Sequence, residues 1–159
     1  MNRLFTIVSM VVLALAVSSA VFAENDAHMG TWKLNIAKSK IDPALPFKSE
    51  TRTYEPTTDG YKFHGERVMA DGSTQTYSFA VKYDGKDYPL TGKDTYGADT
   101  LSVKLIDANH IDSTSKKDGK VLYTSKVVVS KDGKVMTLTS KGMNANGKPF
   151  STVAVYDKQ

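Results

Sequence analysis

Met29-Gly30-Thr31-Trp32-Lys33-Leu34-Asn35 holds the only tryptophan of a 159-residue chain and opens its first strand. Trp32, Leu34 and Ile36 alternate with Lys33 and Asn35, the period of two that sets one face of a strand against a core. Gly30 lets the backbone bend or approach closely just before the largest apolar side chain available. The stretch predicts a strand over 29–36 with Trp32 buried.

On its N-terminal side, Asn2 and Arg3 precede an apolar run from Leu4 to Val17 broken only by Thr6 and Ser9. Val21-Phe22-Ala23 then places small residues at the two positions a signal peptidase reads. The run is shorter than the roughly 20 residues that span a bilayer. Residues 1–23 therefore read as a cleaved secretory signal, with Glu24 the first mature residue and Glu24 to His28 a polar leader. The expected location is the periplasm or the extracellular space, with no membrane span after cleavage. The chain contains no Cys, which excludes anchoring through a lipidated cysteine, disulfides, thiol chemistry and thiolate metal sites. A packed core must supply the stability.

Removing residues 1–23 leaves 136 residues, 24–159, a length that suits one domain. Without Arg3, 20 basic residues face 17 acidic ones, a net charge of +3 that is too mild to imply nucleic acid. Eighteen of the 21 basic residues are Lys, which suits a solvated surface better than bidentate phosphate recognition.

From Thr51 onward, short alternating runs are separated by Asp59-Gly60, Asp71-Gly72, Asp84-Gly85, Asp118-Gly119, Asp132-Gly133 and Asn146-Gly147. Each pair supplies the positive φ angles of a tight hairpin. The long interval between Gly85 and Asp118 holds further turns near Thr91-Gly92-Lys93, Tyr96-Gly97-Ala98 and Asp107-Ala108-Asn109. Strands are predicted at 29–36, 50–55, 61–69, 74–83, 87–91, 99–106, 110–116, 120–130, 134–141 and 149–157. Residues 37–50 read as an Ω-type loop across one end, plugged by Ile41, Leu45 and Phe47. Sequential hairpins pair neighbour with neighbour, so the expected architecture is all-β: a single antiparallel up-and-down β-barrel of 8–10 strands. An immunoglobulin-like sandwich is the rival, and it needs long crossovers that only 37–50 and 91–99 offer.

Alternation assigns faces. Tyr77, Phe79, Val81 and Tyr83 share one side, as do Leu101, Val103 and Leu105. Val121, Tyr123, Val127 and Val129 share theirs with Ser125, Met136 goes with Leu138, and the last strand offers Val153 and Val155 against Thr152, Ala154 and Tyr156. These faces are narrow and carry hydroxyls, which favours a partly hollow interior over one filled by side chains.

Gly30-Thr31-Trp32-Lys33-Leu34 resembles the opening strand of the lipocalin and fatty-acid-binding-protein (calycin) families, and Val155-Tyr156-Asp157-Lys158 resembles the closing strand of the fatty-acid-binding branch, here in a bacterial-type secreted member. The resemblance implies a lipocalin-like barrel that binds a small molecule inside, and a basic residue, Lys141 or Lys158, packed on Trp32. In that branch an Arg two residues before the closing Tyr grips the carboxylate. That position is Ala154 here, and the proline-interrupted segment after Leu34 is too short for the branch's pair of lid helices. Fatty-acid binding as such does not carry over.

Arg52 and Arg67 stand out among so many lysines. Arg67 shares parity with Tyr61, Phe63 and Met69. Facing inward it suits an anionic head group or a buried acid; facing outward it stacks on Tyr or pairs with Glu50, Glu66 or Asp71. The expected function is a non-enzymatic carrier or sensor of a small hydrophobic or amphipathic ligand. Tyr61, Phe63, Tyr77 and Phe79 would line its apolar part, with Arg67 and Tyr156 as polar anchors. The alternative is a ligandless barrel serving as a cell-envelope interaction module. No cofactor is expected. His28, His64 and His110 stand in no metal-ligand spacing, and the His64–Glu66 and His110–Asp112 pairs read as solvated surface. No Gly-x-Ser-x-Gly elbow occurs, and no acid and base form a pair, so no catalytic residue emerges.

Overall fold

The computed structural model describes residues 26–43, 45, 47–93 and 96–159, so residues 1–23, expected from the sequence to be a secretory signal, lie outside the described residues. The described strands are β1 (Gly30–Leu34), β2 (Phe47–Pro56), β3 (Gly60–Met69), β4 (Thr74–Lys82), β5 (Tyr88–Pro89), β6 (Thr91–Gly92), β7 (Thr100–Asp107), β8 (His110–Lys117), β9 (Lys120–Val129), β10 (Val135–Met143) and β11 (Pro149–Lys158). All pairings are antiparallel, in the order β5-β7-β8-β9-β10-β11-β1-β2-β3-β4-β6. The first and last strands of the chain are partners, with Trp32 opposite Lys158. A meander joined end to end in this way is a barrel, and it leaves no place for the sandwich.

The barrel is nearly closed, and one residue bridges its two edge strands. The segment predicted as a strand at 87–91 is split, Tyr88–Pro89 pairing with β7 and Thr91–Gly92 with β4, while Leu90 joins the two edges. Leu90 N–H donates to Asp99 O (2.8 Å) and Lys93 N–H to Thr76 O (3.1 Å). Gly92 makes the step possible: its φ is +91°, and a Cβ there would stand 2.3 Å from Thr76 O.

Several predicted faces are corrected. β2 starts at Phe47, with a bulge between Phe47 and Ser49 that lets both Phe47 and Glu50 face inward. Ile36 is exposed, because β1 ends at Leu34 and Asn35 caps a 3-10 turn over Ile36–Lys38 through its side chain. On β11 the inward residues are Phe150, Thr152, Ala154 and Tyr156, not Val153 and Val155. Two aromatic rings with partners inside outweigh two valines. Val121 is exposed, since the ladder with β8 slips between Ser115 and Lys116.

The ends are sealed differently. Within the polar leader Asp26 and His28 are both buried, and Ala27 N–H reaches Ala108 O at 3.3 Å. Trp32 lies beneath them, its Nε1–H donating to His28 O (2.8 Å), with Lys158 Nζ 5.0 Å from the ring centroid. At the other end Tyr96 stacks on Phe150 with ring centroids 3.8 Å apart; of the three residues expected to plug an end, Leu45 and Phe47 are buried and Ile41 is half-buried.

Candidate functional site

The inward faces of β2, β3 and β4 place a charged cluster inside the barrel. Glu50 is 1% exposed and Arg67 6%. Arg67 Nε donates to Glu50 Oε1 (3.0 Å), and its Nη2 donates to the Tyr77 hydroxyl (2.9 Å). Tyr77 donates to Glu50 Oε1 and Tyr156 to Oε2, both at 2.5 Å. Arg52 Nη1 stands 3.5 Å from Glu50 Oε1, while its Nε donates to the Tyr54 hydroxyl (3.1 Å). Arg52 also lies over the Phe63 ring, 4.7 Å from the centroid.

A missing side chain makes this geometry possible. Gly65 faces inward opposite Tyr77, and a Cβ there would come within 2.4 Å of the Tyr77 ring. The ring crosses the space Gly65 leaves, which carries its hydroxyl past β3 to Glu50 on β2.

Burial alone would raise the Glu50 carboxyl, but the charges of Arg67 and Arg52 and the hydroxyls of Tyr156 and Tyr77 outweigh it and hold it below the ordinary range. Burial raises the phenols of Tyr54, Tyr61, Tyr77 and Tyr156, so they stay neutral, and Tyr77 and Tyr156 serve as donors to Glu50. At the sealed end, burial likewise opposes ionisation of Asp26, yet hydrogen bonds from His28 and Tyr83 hold its carboxyl low. His28 Nδ1 is 2.6 Å from Asp26 Oδ1, and His28 Nε2 is buried with no hydrogen-bond partner.

An internal cavity of about 70 Å³ opens beside the cluster, lined by Arg52, Arg67, Tyr54, Tyr61, Tyr77 and Phe79 on one wall and by Ser113, Ser115, Ser125 and Ser140 on the other. Ser125 and Ser140 bond each other at 2.7 Å. A depression of about 460 Å³ lies on the outer surface against β2–β4, with Glu55, Lys62 and His64 among its residues. It is solvent-facing, and Glu55 and Lys62 are cross-strand neighbours on β2 and β3 there.

All six residues singled out from the sequence are placed inside or against the interior. Tyr61, Tyr77, Phe79 and Arg67 line the cavity, whereas Phe63 and Tyr156 are buried beside it. Arg67 and Tyr156 are already committed to Glu50. Sequence reasoning left Glu50 and Arg52 out of the site. The parity of Glu50, Arg52 and Tyr54 on one strand was the signal that could have found them.

No protein-family model matches the chain, and no curated protein matches it. Among solved structures, zebrafish ileal bile acid-binding protein complexed with cholic acid aligns with 84% of this chain and 99% of its own, at a TM-score of 0.52 and 15% identity. That likeness establishes the fold, a calycin-type, lipocalin-like barrel.

Proposed function

We propose that the chain is a non-enzymatic carrier or sensor that holds a small amphipathic molecule inside the barrel. One observation carries the reading: a nearly closed barrel buries a guanidinium, Arg52, beside an internal cavity that its own side chains do not fill. A buried charge beside open polar space is costly unless something pairs with it. The apolar side of the ligand lies against Tyr61 and Phe79, and its polar end meets Arg52 rather than Arg67 or Tyr156. Cholic acid in the zebrafish protein is an amphipathic ligand of the same general kind. The protein works after export, as residues 24–159 in the periplasm or outside the cell. The mass of the exported form tests this directly, since retention of Met1 would overturn it.

The volume favours a second reading. A cavity of about 70 Å³ is well under the roughly 300 Å³ at which ligand pockets begin. A nearly filled barrel that docks an envelope partner would look the same. Native mass spectrometry of protein purified from its own host separates the two: a carrier retains a small molecule that denaturation releases, and an interaction module retains none.

A further inference from the structure

We propose that the occupant is a compact monoanion whose oxyanion group, a carboxylate or a singly charged phosphate or sulfate, sits between Arg52 and the hydroxyls of Ser113 and Ser115. The proposal rests on the carrier reading and narrows its ligand. Charge comes first. Glu50 offers one negative charge to two guanidiniums, and its oxygens are taken by Arg67, Tyr77 and Tyr156. Asp26, the other buried carboxylate among the described residues, is committed to His28 and Tyr83. The cluster therefore keeps one net positive charge, and Arg52, whose ion pair with Glu50 is the longer of the two, is the less tightly held guanidinium. Its Nε is used by Tyr54 and its Nη1 stands 3.5 Å from Glu50, but no described residue accepts a hydrogen bond from Nη2.

The opposite wall supplies an independent observation. Ser115 is 3% exposed and lines the same cavity as Arg52, as does Ser113. Neither hydroxyl makes a hydrogen bond with a described residue, in contrast to the mutually bonded Ser125 and Ser140. Ser113 is half-buried and Ser115 buried, and buried hydroxyls are ordinarily paired, so two open ones lining the same cavity as a guanidinium mark a place for an acceptor. A guanidinium edge and two hydroxyl donors suit the oxygens of one oxyanion. Capacity sets the rest. About 70 Å³ takes an oxyanion and a few further atoms, whereas a long chain or a steroid needs several hundred. A dianion would leave a net negative charge buried, so the site selects a single charge.

The test is a titration of the full mature chain at pH 6 and constant ionic strength, followed by amide and arginine Nε–H resonances. Sodium benzoate and inorganic phosphate are the compact probes, and decanoate and a lysophosphatidate are their chain-bearing counterparts. The expected result is one saturable site for a compact probe, with shifts centred on Arg52 and on 113–115. Arg52→Gln should weaken it at least tenfold. Should Arg52→Gln fail to fold, Ser113→Ala combined with Ser115→Ala serves instead, with a several-fold loss expected. Shifts scattered over surface lysines and unchanged in the variants would overturn the site. Tenfold tighter binding of decanoate or the lysophosphatidate would overturn the compact ligand while keeping the oxyanion. Binding of a neutral molecule but no anion would overturn the charge argument and leave the carrier standing. A chain that binds none of the probes and retains nothing from its host would overturn both.

Discussion

Glu50 is the residue on which the interior depends. With its carboxylate in place, Arg67, Tyr77 and Tyr156 are paired; without it, two guanidiniums remain buried among aromatic rings. Glu50→Ala should cost about 3–5 kcal/mol in denaturant unfolding, the usual penalty for leaving a buried ion-pair partner behind. An unchanged midpoint would mean that water already reaches the cluster. The pH dependence has a definite sign. The folded Glu50 carboxyl lies below its ordinary value of 4.5, so its contribution is complete above that pH and is lost as pH falls through the folded value. Acid unfolding of the native chain should therefore steepen below about pH 4.5, and Glu50→Gln, which cannot ionise, should flatten that limb. Equal acid limbs would assign the titration to other lowered carboxyls, such as Asp26, instead. At this scale the sequence was half legible. Parity put Arg67 on the same face as Tyr61 and Phe63 but could not choose the inside. That choice rests on Glu50 arriving opposite it, which the bulge before Glu50 arranges and no alternation pattern announces.

At the scale of elements, hairpin rhythm carried furthest because Asp-Gly and Asn-Gly pairs act locally. Where a strand's face depends on a distant ring, local pattern failed: β11 turns Tyr156 and Phe150 inward because Glu50 and Tyr96 meet them there. Gly65 is the same lesson on β3. A sequence reader meets a glycine that weakens a strand, whereas the fold uses it as the berth of the Tyr77 ring. Gly65→Ala should push that ring away from Glu50 and destabilise the chain by about 1–3 kcal/mol, the range for overpacking a core. Thermal unfolding would measure the loss, and NMR of the Tyr77 ring would show it displaced. A variant as stable as the native chain, with an unmoved ring, would show that the strand shifts instead.

For the whole molecule, closure couples the two termini. β1 is held by β11 on one side and β2 on the other, and its Trp32 is completely buried under His28 and Lys158. The single tryptophan thus reports on the seam where the chain's beginning meets its end, while Tyr96, Tyr123 and Phe150 form a cluster at the opposite mouth. In a barrel, removing one strand exposes two edges and opens the shared interior, so neither end has a core of its own to fall back on. Trp32 emission and far-UV circular dichroism should therefore trace one denaturant transition with a common midpoint. Val155→Pro, which places a proline within the β11 ladder, should lower both midpoints together rather than releasing Trp32 first. A tryptophan signal that moves at lower denaturant than the strand signal would mean that the β1–β11 seam opens on its own and that the barrel is stabilised in sections.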